Sequence, residues 1–251
     1  METELTMMDL LIESHLDLER QGPGSPEMTL KALSFIESHE RISKVLDLGC
    51  GTGGQTMILA QNLNAEITGI DQIKEFIDIF NDNAKKQNLQ DRVKGIVGSM
   101  EELPFAEEEI DLIWSEGVLA SEAFEKMLNY WNGFLKKDGY VAITSPSWFA
   151  NEPPADAEKF WNDAGEKLVT IENNIEVMKK AGYEVVATFT LPEECWDNYF
   201  TPRTNAENAL LAKYPGNKVA EEYVEAEKYE VELYSKYKQH YGYVFYIGKK
   251  A

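Results

Sequence analysis

Residues 45–54, with the sequence VLDLGCGTGG, join a short apolar run to a cluster of glycines. The run from Val45 to Leu48 is typical of a buried β-strand, and the glycines after it are typical of a tight turn. Side chains at such a turn would keep the backbone from approaching a ligand at the carboxyl end of the strand. The stretch therefore predicts a strand, a ligand-binding turn and the start of a helix.

Apolar runs and helical windows alternate along most of the chain. The strand-like runs are Lys44–Leu48, Glu66–Ile70, Arg92–Val97, Ile110–Ser115, Tyr140–Thr144, Glu184–Thr190 and Tyr243–Ile247. Helical periodicity marks the windows Thr56–Leu63, Ile73–Lys86 and Phe124–Leu135. This alternation predicts an α/β fold with a mostly parallel sheet covered by helices on both faces.

The beginning of the chain departs from this alternation. Residues 1–40 predict two helices separated by a turn at residues 22–26. Ser25 suits the N-cap of the second helix and Pro26 its first position. We interpret residues 1–40 as a helical lid.

A second departure precedes the last strand. Residues 192–241 contain an aromatic, proline-containing segment and then a polar helix from about Lys218 to His240. This insertion is too long for a simple connection, so we interpret it as a substrate-recognition element. The sequence leaves open whether the polar helix also forms a homodimer. The predicted division of the single domain 1–251 is a lid at 1–40, a core at 41–191, the insertion at 192–241 and the last strand at 242–251.

The glycine turn also satisfies a pattern of dinucleotide-binding proteins. Gly49, Gly51 and Gly54 fit G-x-G-x-x-G, and Asp71 follows Gly51 by 20 residues, as a ribose-binding acid should. An NAD-dependent oxidoreductase is therefore one interpretation. Asp47 argues against it, because a carboxylate inside the strand would face a pyrophosphate poorly and suits a ligand that carries a cation. The additional glycine within the turn argues against it too.

The sequence VLDLGCGTG at residues 45–53 resembles the first motif of class I S-adenosylmethionine-dependent methyltransferases almost residue for residue. Later segments resemble further motifs of that family in order: Ile70-Asp71, GSMEELPF at 98–105, IDLIWSEG at 110–117 and LKKDGY at 135–140. The resemblance covers about residues 45–145 and is closest to the small-molecule group that includes ubiquinone and menaquinone biosynthesis methyltransferases. It implies a Rossmann-like, seven-stranded sheet with an antiparallel last strand, and methyl transfer from S-adenosyl-L-methionine to a small molecule.

The resemblance also implies a place for each part of the cofactor. Its amino-acid end would lie over the glycine turn, its ribose on Asp71 and its adenine between Gln72 and Met100, while Arg20 would meet its carboxylate. Ser99 stands where many relatives carry aspartate, and its hydroxyl can accept a hydrogen bond from the exocyclic amine. The implied cofactor-binding set is Arg20, Asp47, Gly49, Cys50, Gly51, Gly53, Asp71, Gln72, Ser99, Met100 and Glu116.

Methyl transfer is an in-line displacement on an activated carbon, so it requires orientation and exclusion of water more than a dedicated catalytic residue. A general base would add roughly 10²–10⁴-fold for an acidic acceptor. Glu116, which the resemblance places at the cleft, is the candidate to orient the acceptor, act as base or bind the cofactor. It could equally satisfy backbone donors at a strand end. His15, His39 and His240 fit packed or exposed positions and receive no catalytic role.

Aromatic residues near the expected cleft are candidates for binding the acceptor. Trp148 follows the fifth strand at its carboxyl end, and Trp196 and Tyr199 belong to the insertion. Tyr223 and Tyr234 have helical spacing, which favours core packing instead.

Composition limits the classes of partner. The 251 residues carry 24 Lys+Arg against 44 Asp+Glu, a net charge of −20 that would repel nucleic acid and anionic membranes. Two cysteines without ligand spacing predict no metal site and a reducing, cytoplasmic setting. No apolar window approaches membrane-spanning length, so we expect no membrane insertion. The sequence also leaves open a protein that binds S-adenosylmethionine without catalysing transfer.

Overall fold

The computed structural model describes residues 5–119 and 121–251. The strands are β1 (Lys44–Leu48), β2 (Glu66–Asp71), β3 (Val93–Val97), β4 (Ile110–Ser115), β5 (Leu135–Trp148), β6 (Tyr183–Thr190) and β7 (Tyr241–Lys250). Within the described residues these seven strands form one sheet in the order β3-β2-β1-β4-β5-β7-β6. The pairs among β1 to β5 are parallel, whereas β7 is antiparallel to β5 and β6. The predicted α/β fold and its antiparallel last strand are confirmed.

Helices cover both faces of the sheet. They are α1 (Met7–His15), α2 (Pro26–Ser34), α3 (Gly54–Asn62), α4 (Lys74–Lys86), α5 (Ser121–Asn132), α6 (Ala155–Asp163), α7 (Ile171–Lys180), α8 (Glu193–Lys213) and α9 (Lys218–Tyr237). Residues of α2, α3 and α4 pack on one face, and residues of α5 and α7 pack on the other. Val45 joins the first layer and Leu46 the second, because successive side chains of a strand point to opposite faces. Both faces of β1 are therefore buried, which explains its continuous apolar run.

The turn before α2 has the predicted capping. The hydroxyl of Ser25 accepts a hydrogen bond from the Met28 N–H at 3.3 Å, and Pro26 occupies the first helical turn. This cap satisfies one of the N–H groups that a helix start leaves without a partner. Leu33 and Ile36 then bury their side chains in the core below.

Helices α1, α8 and α9 pack against one another, and we call these three the helical cap. Leu10, Leu210 and Tyr223 lie in the apolar cluster between them. The sequence pattern located α9, which ends at Tyr237 instead of His240, but it did not predict α8 as a helix. Pro202 lies inside α8 and lacks the N–H of an interior helical residue. Tertiary burial, including that of Phe200, overrides this local signal.

The order of the strands creates a crevice at their carboxyl ends. The chain leaves β1 through α3 toward β2 on one side, and it leaves β4 through α5 toward β5 on the other. Ligands of open α/β sheets bind where the direction of winding changes in this way. The residues that follow Leu48 and Ser115 therefore line the expected binding crevice.

Candidate functional site

The turn after β1 has the backbone that its glycines predict. Gly49 and Gly53 have φ angles of +71° and +89°, in the left-handed region that side chains disfavour. The N–H groups of Gly49 and Cys50 donate to the Ile70 carbonyl at 2.8 and 3.1 Å. These bonds tie the turn to the end of β2, where the predicted ribose-binding acid lies.

Residues 18–24, which we call the strap, lie directly on this turn. The Gln21 side-chain oxygen accepts a hydrogen bond from the Thr52 N–H at 2.9 Å. A Cβ atom on Gly51 would lie 2.1 Å from that oxygen, and one on Gly54 would lie 2.3 Å from the Glu19 carbonyl. The strap therefore leaves no room for side chains at Gly51 and Gly54, in addition to the ligand approach that the sequence predicts.

Asp71 ends β2 with its carboxylate directed back over the turn. One oxygen accepts from the Gly51 N–H at 2.9 Å and the other from the Ile73 N–H at 2.9 Å. The residue lines both a cavity of about 510 Å³ and a smaller one of about 90 Å³ beside the turn. The predicted acid therefore lies where the two cavities meet.

The larger cavity extends along the ends of β2 and β3. Gln72 and Met100 line it together with Gly98, as the adenine prediction requires, and Phe76 lines both cavities. Ser99 is not among the lining residues. Its hydroxyl accepts a hydrogen bond from the Glu101 N–H at 3.1 Å, so its recorded bond is within the local turn and not toward the cavity.

Asp47 is fully buried in β1 and lines neither cavity. Its carboxylate accepts hydrogen bonds from the Thr56 hydroxyl and, at 3.4 Å, from the Gln55 amide. Burial raises its pKa to about 7. Gln55 does line the smaller cavity, so Asp47 reaches that cavity through Gln55 and not by the direct contact that we predicted.

Glu116 and Arg20 form a buried ion pair at the smaller cavity. Arg20 Nη1 lies 2.8 Å from Glu116 Oε2, and both residues line the cavity with Cys50. Glu116 Oε1 also accepts from Trp114 Nε1 and from the Thr29 hydroxyl, each at 2.8 Å. Side-chain donors thus occupy both carboxylate oxygens, so the arrangement favours binding by Glu116 over proton abstraction.

The larger cavity ends at the helical cap. Met8 and Leu11 give this end an apolar wall, and Tyr199 lines it as a predicted acceptor contact. His15 of α1 lines it too, although no sequence pattern assigns it a role. Its Nε2 lies 2.9 Å from the Tyr199 hydroxyl. Burial and the charge of Arg203 lower the pKa of His15 to about 4, against its bond to the Leu11 carbonyl.

A buried arginine completes this end. Arg203 is 1% exposed and lies 2.9 Å from Glu207, 2.8 Å from Glu227 and 2.7 Å from Glu230. Burial raises the pKa of Glu227 to about 7. Arg203, Glu227 and Glu230 line the cavity, and sequence reasoning missed all three. The four-residue spacings of Tyr199, Arg203 and Glu207 would have been a signal once the segment was known to be helical.

Trp148 and Trp196 do not line the cavities, which corrects their prediction as acceptor contacts. They are 5% and 1% exposed and belong to one buried aromatic cluster with Tyr234 and Tyr241. Trp196 stacks on Tyr234 with ring centroids 3.9 Å apart. Trp148 contacts Tyr241 edge to face, because β5 and β7 remain paired as far as these two residues.

Residues 5–119 and 121–251 contain no group of three or more His, Cys, Asp or Glu side chains that could hold a metal ion. None of their helices has the length and the apolar composition needed to cross a bilayer.

The family model and the curated relatives that this chain matches are all methyltransferases. Residues 39–246 match the family model described as a methyltransferase domain. Methyltransferase GfsG of Streptomyces halstedii is 24% identical over 182 residues, which are 70% of this chain and 64% of that protein. Sarcosine/dimethylglycine N-methyltransferase of Aphanothece halophytica is 30% identical over 112 residues, 44% of this chain and 40% of that protein. The chain thus matches less than two thirds of the length of either relative.

A solved structure shows the same fold. A SAM-dependent methyltransferase from Geobacter sulfurreducens, crystallised with S-adenosyl-L-homocysteine, superposes with a TM-score of 0.84 at 18% identity. The superposition covers 99% of this chain and 100% of that one. The two chains therefore share one fold over nearly their whole length.

Proposed function

This chain belongs to the methyltransferase-domain family, as its sequence motifs predicted, and we propose that it transfers the methyl group of S-adenosyl-L-methionine to a small-molecule acceptor. The cofactor supplies a methyl carbon that its sulfonium has already activated. The protein then has to hold the acceptor in line with that carbon and exclude water. Residues of the strap and of the helical cap line the two cavities and can serve both purposes.

The observation that carries this proposal is the ion pair of Arg20 and Glu116 beside the glycine turn. An amino-acid end brings one carboxylate and one ammonium group, and the pair offers a partner to each. Arg20 Nε is buried and has no hydrogen-bond partner among the described residues, so it can donate to the carboxylate. A pyrophosphate at this place would meet the carboxylate of Glu116, which disfavours the NAD-dependent alternative.

The residues that line the two cavities indicate the other contacts of the cofactor. We assign the ribose hydroxyls to Asp71 and the adenine to Gln72 and Met100. Residues proposed to contact the cofactor are Arg20, Gly49, Cys50, Gly51, Asp71, Gln72, Met100 and Glu116. Asp47, Gly53 and Ser99 support the turns around it.

We infer a small acceptor from the size and charge of the remaining space. The cofactor and the acceptor have to share two cavities of about 510 and 90 Å³, which suits a small molecule. The net charge of −20 disfavours nucleic acid as a substrate. The relative from Aphanothece halophytica acts on sarcosine and dimethylglycine according to its name, which supports an acceptor of this size.

Location and assembly are part of the same proposal. Cys50 and Cys195 are both free and buried, as suits a reducing cytoplasmic setting. We propose that the protein forms a homodimer through the polar face of α9. Light scattering on the purified protein measures it directly.

The proposed activity is tested by incubating the protein with methyl-labelled S-adenosyl-L-methionine and a panel of small phenols, alcohols, amines and thiols. We expect label in at least one acceptor and an equal amount of S-adenosyl-L-homocysteine. The same incubation with the Asp71→Asn variant is the control for contaminating enzymes. Tight binding of the cofactor without transfer to any acceptor would favour the non-catalytic alternative.

A further inference from the structure

The end of the larger cavity at the helical cap has more negative than positive side chains. Glu227 and Glu230 of α9 line it, and Arg203 of α8 is the only Lys or Arg among the described residues that does so. Glu207, which is 0% exposed, adds a third carboxylate 2.9 Å from Arg203. His15 adds no compensating charge, because burial and the charge of Arg203 lower its pKa to about 4 and leave the ring neutral near pH 7. One guanidinium therefore faces three carboxylates.

The hydrogens of Arg203 do not reach all of these carboxylates. Arg203 Nη1 has two hydrogens. It donates one to Glu230 Oε2 at 2.7 Å and one to the Tyr199 hydroxyl oxygen at 3.2 Å. Glu227 Oε2 lies 2.8 Å from the same nitrogen as an ion pair, but the Glu227 carboxylate accepts no hydrogen bond from the described residues. A ligand in the cavity can therefore supply the missing donors.

The carboxylates are more accessible than the guanidinium. The side chains of Glu227 and Glu230 are 21% and 22% exposed, whereas that of Arg203 is 1% exposed. The guanidinium also lies over the rings of Tyr199 and Phe200, 4.9 and 5.0 Å from their centroids. Since both glutamates line the cavity, a ligand there meets two accessible carboxylates beside one covered guanidinium. This end stabilises a positive charge and not a negative one.

We propose that Glu227 and Glu230 bind the ammonium group of an amine acceptor, and that Glu227 is the catalytic residue that takes its proton. An ammonium group supplies both the hydrogen-bond donors and the positive charge that the carboxylates lack. Met8, Leu11 and Phe76 line the same cavity and suit an apolar substituent on the nitrogen. This inference rests on the proposed function. It adds the substrate class, a small amine with an apolar substituent, and it gives N-methylation as the reaction.

The step balances with the amine and the cofactor alone. The ammonium group gives a proton to the Glu227 carboxylate, which frees the nitrogen lone pair. That lone pair forms the bond to the methyl carbon, and the electrons of the broken carbon–sulfur bond remain on sulfur. Burial raises the pKa of Glu227 to about 7, against the charge of Arg203 and with the charges of Glu230 and Glu207, so this carboxylate is a stronger base than an ordinary glutamate. Glu227 then releases the proton to solvent.

The first test compares ligands of equal shape and different charge. Benzylamine, cyclohexylamine and hexylamine are titrated near pH 7 into protein loaded with S-adenosyl-L-homocysteine. Each is compared with the alcohol that has a hydroxyl in place of the amino group. We expect at least one amine to bind about tenfold more tightly than its alcohol, which is within the range for hydrogen bonds to charged groups.

Variants of α9 locate this preference. Glu227→Gln and Glu230→Gln keep the shape of the side chain and remove one charge, so each should reduce the preference for the amine to about twofold or less. With saturating amine and S-adenosyl-L-methionine, Glu227→Gln should also lower kcat by about 100-fold or more, because the proton acceptor is lost, whereas Glu230→Gln should mainly raise KM. Glu232→Gln is the matched control and should behave as wild type, because Glu232 is exposed on α9 and does not line the cavity.

The inference is overturned if no amine of the panel binds more tightly than its alcohol, or if both cavity variants retain the preference. A kcat of Glu227→Gln equal to that of wild type would overturn the catalytic role of this residue. The carboxylates could instead serve the cofactor's sulfonium. In that case Glu227→Gln would weaken binding of S-adenosyl-L-methionine but not of S-adenosyl-L-homocysteine, and this result would overturn the inference too.

Calorimetry with S-adenosyl-L-homocysteine comes first on every variant and shows that the site is folded. It also distinguishes the two levels of the account. If that ligand does not bind the wild-type protein, the proposed function fails and this inference with it. Binding of that ligand without any preference for amines refutes the inference alone.

Discussion

Arg203→Met should lower the free energy of unfolding by about 3–5 kcal/mol, the range for removing one partner of a buried ion pair. Arg203 is 1% exposed and its partner Glu207 is 0% exposed. Without the guanidinium, the Glu207 carboxylate has to stay charged in an apolar interior or take up a proton. Denaturant titrations followed by circular dichroism measure the change.

The same substitution at an exposed arginine is the control. Arg41 lies 4.0 Å from Glu40 with 84% of its side chain exposed, and such surface pairs contribute little. Arg41→Met should therefore leave stability within about 0.5 kcal/mol of wild type. The double variant Arg203→Met with Glu207→Leu should recover part of the loss, since it removes the unpaired charge. A loss below about 1 kcal/mol for Arg203→Met would contradict this prediction. It would show that Glu207, Glu227 and Glu230 do not need the guanidinium to stay buried together.

Asp71→Asn should weaken binding of S-adenosyl-L-homocysteine by about 10- to 100-fold. The carboxylate ends β2 at the junction of the two cavities, where we place the ribose hydroxyls. Hydrogen bonds to a charged group contribute about 1.5–3 kcal/mol, and the amide keeps the shape of the side chain but not the charge. Isothermal titration calorimetry gives the two dissociation constants.

Asp78→Asn is the matched control for this comparison. Asp78 lies on α4 with 63% of its side chain exposed and pairs with Lys74 on the surface. Its replacement should change the dissociation constant by less than about twofold. Equal affinities of Asp71→Asn and wild type would remove Asp71 from the binding site.

The core of the proposed cofactor site was predictable because its signals are local. The run from Val45 to Leu48, the glycines after it and Asp71 lie within one β-α-β unit, so short-range spacing fixes their positions. Arg20 was placed through the family resemblance, and the structure brings it to the same cavity as Gly49.

The helical cap was not predictable in the same way. Pro202 and the aromatic composition concealed α8, and with it the spacing that aligns Tyr199 with Arg203. Glu227 and Glu230 meet Arg203 only because α9 folds back on α8, and no local pattern encodes that contact. His15 is an ordinary helix-end histidine in the sequence. Its place in the wall of the larger cavity depends on a contact with Tyr199, which lies 184 residues further along the chain.

The prediction for Trp148 failed because its strand continues further than the sequence pattern shows. Trp148 was assigned to a strand end after Thr144, but β5 extends to Trp148 and pairs there with Tyr241. Its side chain is consequently covered by the aromatic cluster. Ser99 was placed by analogy with an aspartate, and its shorter side chain bonds within its own turn.

The most direct measurement of the central claim is isothermal titration of S-adenosyl-L-homocysteine, and separately of NADH, into protein freed of co-purified ligand. We expect binding of the first with a dissociation constant of about micromolar, equivalent to roughly 8 kcal/mol, and no measurable binding of NADH. Binding of NADH without binding of S-adenosyl-L-homocysteine would contradict the assignment of Arg20, Glu116 and Asp71 and favour the dehydrogenase interpretation of the glycine turn.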